Sequence, residues 1–539
     1  MNLSIVDIFI YCSTALVICI SLFYAYAKYK LSYWSRRGVK TPPTHLIFGN
    51  FGDSLTLKKP PSEVLREIYN YADPDDPYIG FYIFHKPMLL LRNHDVMKQI
   101  FIKDFDVFPN RRFGSANQRD ALGLDSILSI QQPRWKYLRN KLTVALSGQR
   151  LKNMFPLIIE CGQPMLNFMK NLSMSSSNKT EVKELSGRYV TDIIASVIFG
   201  INATSFDEKK DAFWKNSLNI FYGFMRSMIM IMIFFIPEWI PLFGPTIKIY
   251  TNYFRKIFWD SMNSREKSGY KRGDFIDFLL TLKNEEQDPI YKFEGDHLLA
   301  QSASLLIAGI EATADAIAFA LYNLARHPEL QATLYDEIQT HISGKELTMD
   351  LITEMSFLDS VLIETLRLHP PLPIVDRIAT RNYKLLSTGL IIEKDIPVYI
   401  SINATNQDPK YFSNPHDFIP LRAETGNKKF YESLAFGLGQ RSCIGKLQNF
   451  ITRKRYVVIF SFPFYIHKCQ IDIICTIIYL KFSGQRLGLL IAKVALITIL
   501  SNYILDYEPS KKDDKGIIHV FTYAADGLYV QLKKREKGA

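Results

Sequence analysis

Cys443 stands where a side chain of its type could do chemistry. It lies in Phe436-Gly437-Leu438-Gly439-Gln440-Arg441-Ser442-Cys443-Ile444-Gly445. A free cysteine is ordinarily a small buried apolar residue. Here Gly437 and Gly439 let the backbone turn tightly and leave amide N–H groups able to point at the sulfur. Such donors favour the thiolate over the thiol. Arg441 adds a cation suited to a carboxylate. Glu364 and Arg367 stand three residues apart and share a helix face, a spacing that by itself marks an ordinary ion pair. Trp135 and Arg139 lie one helical turn apart. Ala308-Gly309-Ile310-Glu311-Ala312-Thr313 joins small residues, which permit close approach to a flat group, with a carboxylate and a hydroxyl.

Helices must position most of these groups. Residues 313–327 read as an apolar helix ended by His327-Pro328, and 350–368 as a helix stopped before Pro370-Pro371. Short extended runs follow at 383–392 and 397–402, so the expectation is a helix-rich body with a small sheet component. Residues 8–27 carry no charge and are long enough to span a bilayer. Lys28, Lys30, Arg36, Arg37 and Lys40 follow without an acid, which places the body on the cytoplasmic side. A cleaved signal peptide is the alternative, but the leading segment has no basic residue and the apolar run is long. A lumenal body would expose the sequons at Asn171, Asn178, Asn202 and Asn403 to glycosylation. Residues 28–50 form a basic, proline-containing hinge. The apolar run 227–236 is too short to span and reads equally as a core helix or a membrane-dipping segment.

Composition narrows the function classes. With 65 basic against 53 acidic residues, the net charge of +12 is a mild bias. The one basic cluster flanks the anchor, so no nucleic-acid partner is expected. Six cysteines in 539 residues make no disulfide scaffold. Cys12 and Cys19 fall in the anchor, and Cys161 reads as buried structure.

The loop before Cys443 resembles the haem-binding loop of the cytochrome P450 family, F-x-x-G-x-R-x-C-x-G. Glu364-Thr365-Leu366-Arg367 resembles the family's E-x-x-R, and Phe418-Ile419-Pro420-Leu421-Arg422 its F-x-P-x-R, whose arginine joins that pair. Residues 146–154 resemble the animal microsomal group nearest the insect xenobiotic enzymes. The resemblance covers roughly residues 30–445 and 485–530. It implies the mainly α cytochrome P450 fold with small β-sheets behind a single transmembrane helix. It further implies a b-type haem ligated by the Cys443 thiolate, which favours O–O cleavage. Trp135, Arg139, Arg377 and Arg441 would face the haem carboxylates, with Ala308, Gly309, Phe436, Gly439 and Gly445 around the cofactor. Glu364, Arg367 and Arg422 would form a structural network. Electrons from NADPH would arrive through the flavins of NADPH–cytochrome P450 reductase, with cytochrome b5 as a further donor. The implied substrate is a lipophilic small molecule and the implied location the endoplasmic reticulum membrane. Pocket segments by the same resemblance are 110–120, 213–235, 305–313, 371–375 and 521–526.

Two departures stand out. The family's distal helix carries A-G-x-E/D-T, but here the hydroxyl of Thr313 comes one residue late, about 100° around the helix. Either a local widening brings Thr313 back, or Glu311 and water suffice; the second reading is preferred. The larger departure is a 39-residue insertion at 446–484, after which Gln485-Arg486-Leu487-Gly488 resumes the family's pattern. Its richness in Phe, Ile, Lys and Tyr, residues of A/T-rich codons, and its splice-like edges fit a retained intron, and Cys469 and Cys475 fall within it. The catalytic body, 51–539, is thus interrupted. Three functions follow: a monooxygenase, a haem-poor dead product of the insertion, or a haem protein that rearranges a peroxide without reductase.

Overall fold

The computed structural model describes residues 5–115, 125–174, 178–240, 251–422, 434–444, 487–509, 520–522 and 527–536. Its backbone is dominated by α-helices around one long central helix, Gly295–Arg326. That helix runs 32 residues, much further back than 313, and ends where Pro328 can no longer donate an amide. It is buried almost all round, packed on the helices Val182–Phe199 and Leu487–Leu500. Contact with the first is close: a Cβ on Gly309 would lie 2.9 Å from Ile194 Cδ1. The Glu181 carboxylate caps Val182–Phe199 by accepting from the amides of Lys183 and Glu184.

The expected helix over 350–368 is two helices, Met349–Glu354 and Ser356–Leu368. The break at Met355 has a physical cause. The Glu337 carboxylate, from a neighbouring helix, accepts from the amides of Phe357 (2.8 Å) and Leu358 (2.9 Å), so a new N-terminus is capped from outside. The larger sheet has four strands in the order Tyr78–Ile83, Lys86–Leu91, Pro397–Ser401, Ile374–Ile378, with one parallel junction in the middle. The extended run at 383–392 is a small hairpin of Tyr383–Lys384 with Ile391–Ile392.

The first helix, Ile5–Leu31, is exposed along its apolar length and long enough to cross a membrane. Its exit is pinned to the sheet. The Trp34 amide donates to Tyr82 Oη (2.9 Å), and a Cβ on Gly80 would lie 2.5 Å from the Trp34 ring. The run at 227–236 lies in the helix Phe224–Phe235, whose Ile229, Ile231, Ile233 and Phe235 are buried against the sheet, while Phe224 and Met225 are exposed.

Candidate functional site

The cysteine loop is built by two glycines. Gly437 and Gly439 have φ of 77° and 69°, the left-handed region. Gly439 also faces the Phe101 carbonyl, where a Cβ would approach the oxygen to 1.9 Å. The amide of Cys443 donates to Phe436 O (2.7 Å) and that of Ser442 to Gly439 O (3.1 Å). Two amides expected to be available to the sulfur are therefore engaged in closing the turn. Arg441 and Ser442 are buried, whereas Cys443 is exposed. Ile444 packs on the main core. Gly445 lies outside the described residues.

Four guanidinium groups converge on this loop. Arg139 donates to the carbonyls of Ser442 (2.9 Å) and Cys443 (3.2 Å). Arg377, on the edge strand of the large sheet, donates to Leu438 O (3.2 Å). Arg441 donates to Pro109 O (2.8 Å) and lies over the Trp135 ring at 4.5 Å. Arg111 donates to Arg441 O (3.0 Å). Three buried nitrogens in this group, Arg111 Nε, Arg377 Nε and Arg441 Nη1, have no hydrogen-bond partner among the described residues. Burial, followed by the charge of Arg111, pushes Arg377 and Arg441 below the ordinary guanidinium value; burial lowers Arg111 and Arg139 too. Crowded, partly unpaired buried cations are costly unless an anion joins them. A flat cofactor bearing carboxylates, ligated by the exposed sulfur, fits this donor set. Arg111 was not singled out in the sequence reading. The pair Arg111-Arg112 follows no helical spacing, and its signal was only that two arginines sit in an otherwise apolar stretch.

The central helix presents its small residues on more than one face. Ala308 is exposed and Ala312, one turn later, is partly exposed, so both lie on an open face of an otherwise buried helix. Gly309 serves the close contact with Ile194. Thr313 is buried on another side, its hydroxyl 3.1 Å from where a Cβ on Gly488 would stand. The helix is α-helical throughout, without a widened turn at 308–313. Glu311 is ion-paired: Lys183 Nζ donates to its Oε2 at 2.7 Å.

Behind the loop, Arg367 grips Glu364 with two bonds, Nε to Oε2 (2.8 Å) and Nη2 to Oε1 (2.7 Å). Arg422 Nε adds a third at 3.1 Å, and the Ile419 amide a fourth at 3.1 Å. Arg367 spends its remaining hydrogens on the carbonyls of Asn406, Pro415 and Asp417. The pair is essentially inaccessible to water, so its surplus donors staple the 406–417 segment to the helix end.

The family model described as Cytochrome P450 matches residues 39–447. The chain is 33% identical over 485 residues to cytochrome P450 6k1 of Blattella germanica, covering 85% of this chain and 92% of that one. It is 33% identical over 536 residues to a protein of Drosophila melanogaster described as probable cytochrome P450 6g2, covering 94% and 95%. Cytochrome P450 9e2 of Blattella germanica is 30% identical over 449 residues, covering 77% and 84%.

Proposed function

The chain belongs to the cytochrome P450 family, and from that premise we infer that it is a membrane-anchored haem-thiolate monooxygenase acting on lipophilic small molecules. The observation that carries the reading is the set of incompletely paired buried guanidiniums around an exposed cysteine. Bound haem would supply activation of O₂, with one oxygen atom going to the substrate and the other to water. Cys443 would ligate the iron. Arg111, Arg139, Arg377 and Arg441 would pair with the haem carboxylates, and the Trp135 ring would stack behind Arg441. Ala308 and Ala312 leave room beside a flat ring, and Glu311 would relay protons toward the distal face. In this reading NADPH–cytochrome P450 reductase delivers the electrons, cytochrome b5 can contribute one, and the body faces the cytoplasm from the endoplasmic reticulum.

Residues 446–484 read as a retained intron, and the variant carrying them as a form whose haem content is at stake. Two observations support the insertion reading. The family match ends at 447. Ile444 before the segment and Leu489 after it both pack on the same core. The test is to express the chain with and without 446–484, reconstitute with hemin, reduce, and add carbon monoxide. A thiolate-type Soret shift in at least the excised form is expected, and its absence from both overturns the assignment. Shifted spectra of equal amplitude would remove the case for a haem-poor product.

A further inference from the structure

A buried charge cluster joins the distal acid Glu311 to Asp315 one turn beyond it, on the side of the central helix facing Val182–Phe199. Lys183 Nζ donates to Glu311 Oε2 (2.7 Å) and to Asp315 Oδ1 (2.6 Å), so one ammonium serves two carboxylates at i and i+4. The side chains are 16%, 9% and 2% exposed for Lys183, Glu311 and Asp315, which keeps water from sharing the load. Tyr222 closes the cluster, its hydroxyl 3.4 Å from Glu311 Oε2. It lies where the helices Ala212–Phe221 and Phe224–Phe235 meet at a 56° bend. The second oxygen of Asp315 is buried without a partner among the described residues. A carboxylate oxygen so placed is best accommodated when it carries the proton itself.

We propose that Lys183 and Asp315 are positioning residues for Glu311, holding or releasing its carboxylate according to whether Asp315 carries a proton. With Asp315 neutral, the ammonium belongs to Glu311 alone and clamps it. With Asp315 ionised, the ammonium is divided between two anions and Glu311 is free to turn toward the open face at Ala308 and Ala312. Burial raises Asp315 to about 7, against the pull of Lys183 and with the help of the Glu311 charge; Glu181 adds a smaller push. Burial acts against the Lys183 charge, but the two acids outweigh it and hold the amine well above its ordinary value. The switch is thus displaced well above the ordinary carboxylate range. Only a proton exchanges with solvent; no redox step is involved. The placement matters because Ala312 occupies the position on the open face and Thr313 lies elsewhere, leaving Glu311 as the polar side chain of the 308–313 segment able to turn to that face.

This inference rests on the monooxygenase reading, but its first test does not. Infrared difference spectra of the full-length protein, with or without haem, report protonated carboxyl groups directly. A carboxyl band is expected to titrate away near pH 7 and to vanish in Asp315→Asn, an isosteric change. Tyr222→Phe, which leaves every charge in place, should retain it. A band that titrates unchanged in Asp315→Asn overturns the proposal. In the haem-loaded protein, the fraction of electrons reaching product rather than peroxide should fall about tenfold in Asp315→Asn, the scale of one hydrogen bond to a charged group, and lose its pH dependence near 7. Persistence of that pH dependence also overturns the proposal. Failure of the thiolate spectrum in wild type would instead end the enzymatic reading while leaving the infrared result intact.

Discussion

Replacing Gly439 by alanine separates two costs that the cysteine loop imposes. The first is conformational: φ is +69°, where an L side chain costs about 1–2 kcal/mol. The second is steric. The new methyl would stand 1.9 Å from the Phe101 carbonyl oxygen and 2.9 Å from its carbon. Both are backbone atoms, so relief requires shifting a chain segment, at a cost of roughly 1–3 kcal/mol. The sum is about 2–5 kcal/mol. Gly389 supplies the control. Its φ is +74°, but nothing lies within 4 Å of a Cβ there, so Gly389→Ala carries only the conformational cost of about 1–2 kcal/mol. Urea unfolding followed by circular dichroism should give the order wild type, Gly389→Ala, Gly439→Ala. Hemin retention should fall only in the last, because Arg441 and Cys443 belong to the displaced loop. If the two variants unfold together and both retain hemin, the tight seat of the loop on Phe101 is not real.

Three further outcomes follow from buried charges and rings. Glu364→Ala strands Arg367 and Arg422 without their shared carboxylate and should cost about 3–5 kcal/mol, read as loss of folded protein on gentle heating. Arg377→Met removes a buried cation that lacks a full set of partners, so the haem-free protein should melt higher while hemin affinity drops; a fall in both would argue against the carboxylate-pairing role. His369 stacks on Phe319 at 4.1 Å, and burial, then the charges of Arg367 and Arg326, lowers it to about 4. Its folded form resists protonation, so the stability it contributes is complete above pH 6.5 and is lost as pH falls toward 4. That loss is about 2–3 kcal/mol. The stability of wild type relative to His369→Phe should fall over that window, and a difference that stays constant would mean the ring protonates without penalty.

Much of the site was legible because its residues obey local spacing. Cys443, Arg441 and the two glycines lie within seven positions, and Glu364 with Arg367 within one helical turn. Trp135 and Arg139 were legible for the same reason. What sequence could not reveal depends on elements that meet only in three dimensions. Arg111 joins the guanidinium group because the 107–112 segment passes under Arg441. Lys183 reaches Glu311 and Asp315 across 128 and 132 positions. The break at Met355 likewise required Glu337, 20 residues before Phe357, to cap a helix that periodicity alone runs through. Thr313 is the intermediate case. Its one-residue lateness was plain, but the side it occupies was settled only by the neighbouring Gly488.

The same reasoning locates the consequence of residues 446–484. Lengthening a connection from a couple of residues to about forty costs roughly 3 kcal/mol in closure entropy, since the penalty grows only logarithmically. Against it stands the helix Leu487–Leu500, where Leu490, Ile491, Leu496, Ile497 and Leu500 are buried. At roughly 1.5–3 kcal/mol per side chain, these five alone outweigh the loss several-fold. Lys493 is tied to Asp359 at 2.6 Å besides. The helix therefore docks whether or not the segment precedes it, and the core does not depend on a short connection. The sulfur at 443 is held by glycine-seated turns and converging guanidiniums upstream, and Ile444 just after it packs on the core. In the proposed reading a direct join to the helix would tether it further, so excising residues 446–484 is expected to raise hemin retention far more than folding stability.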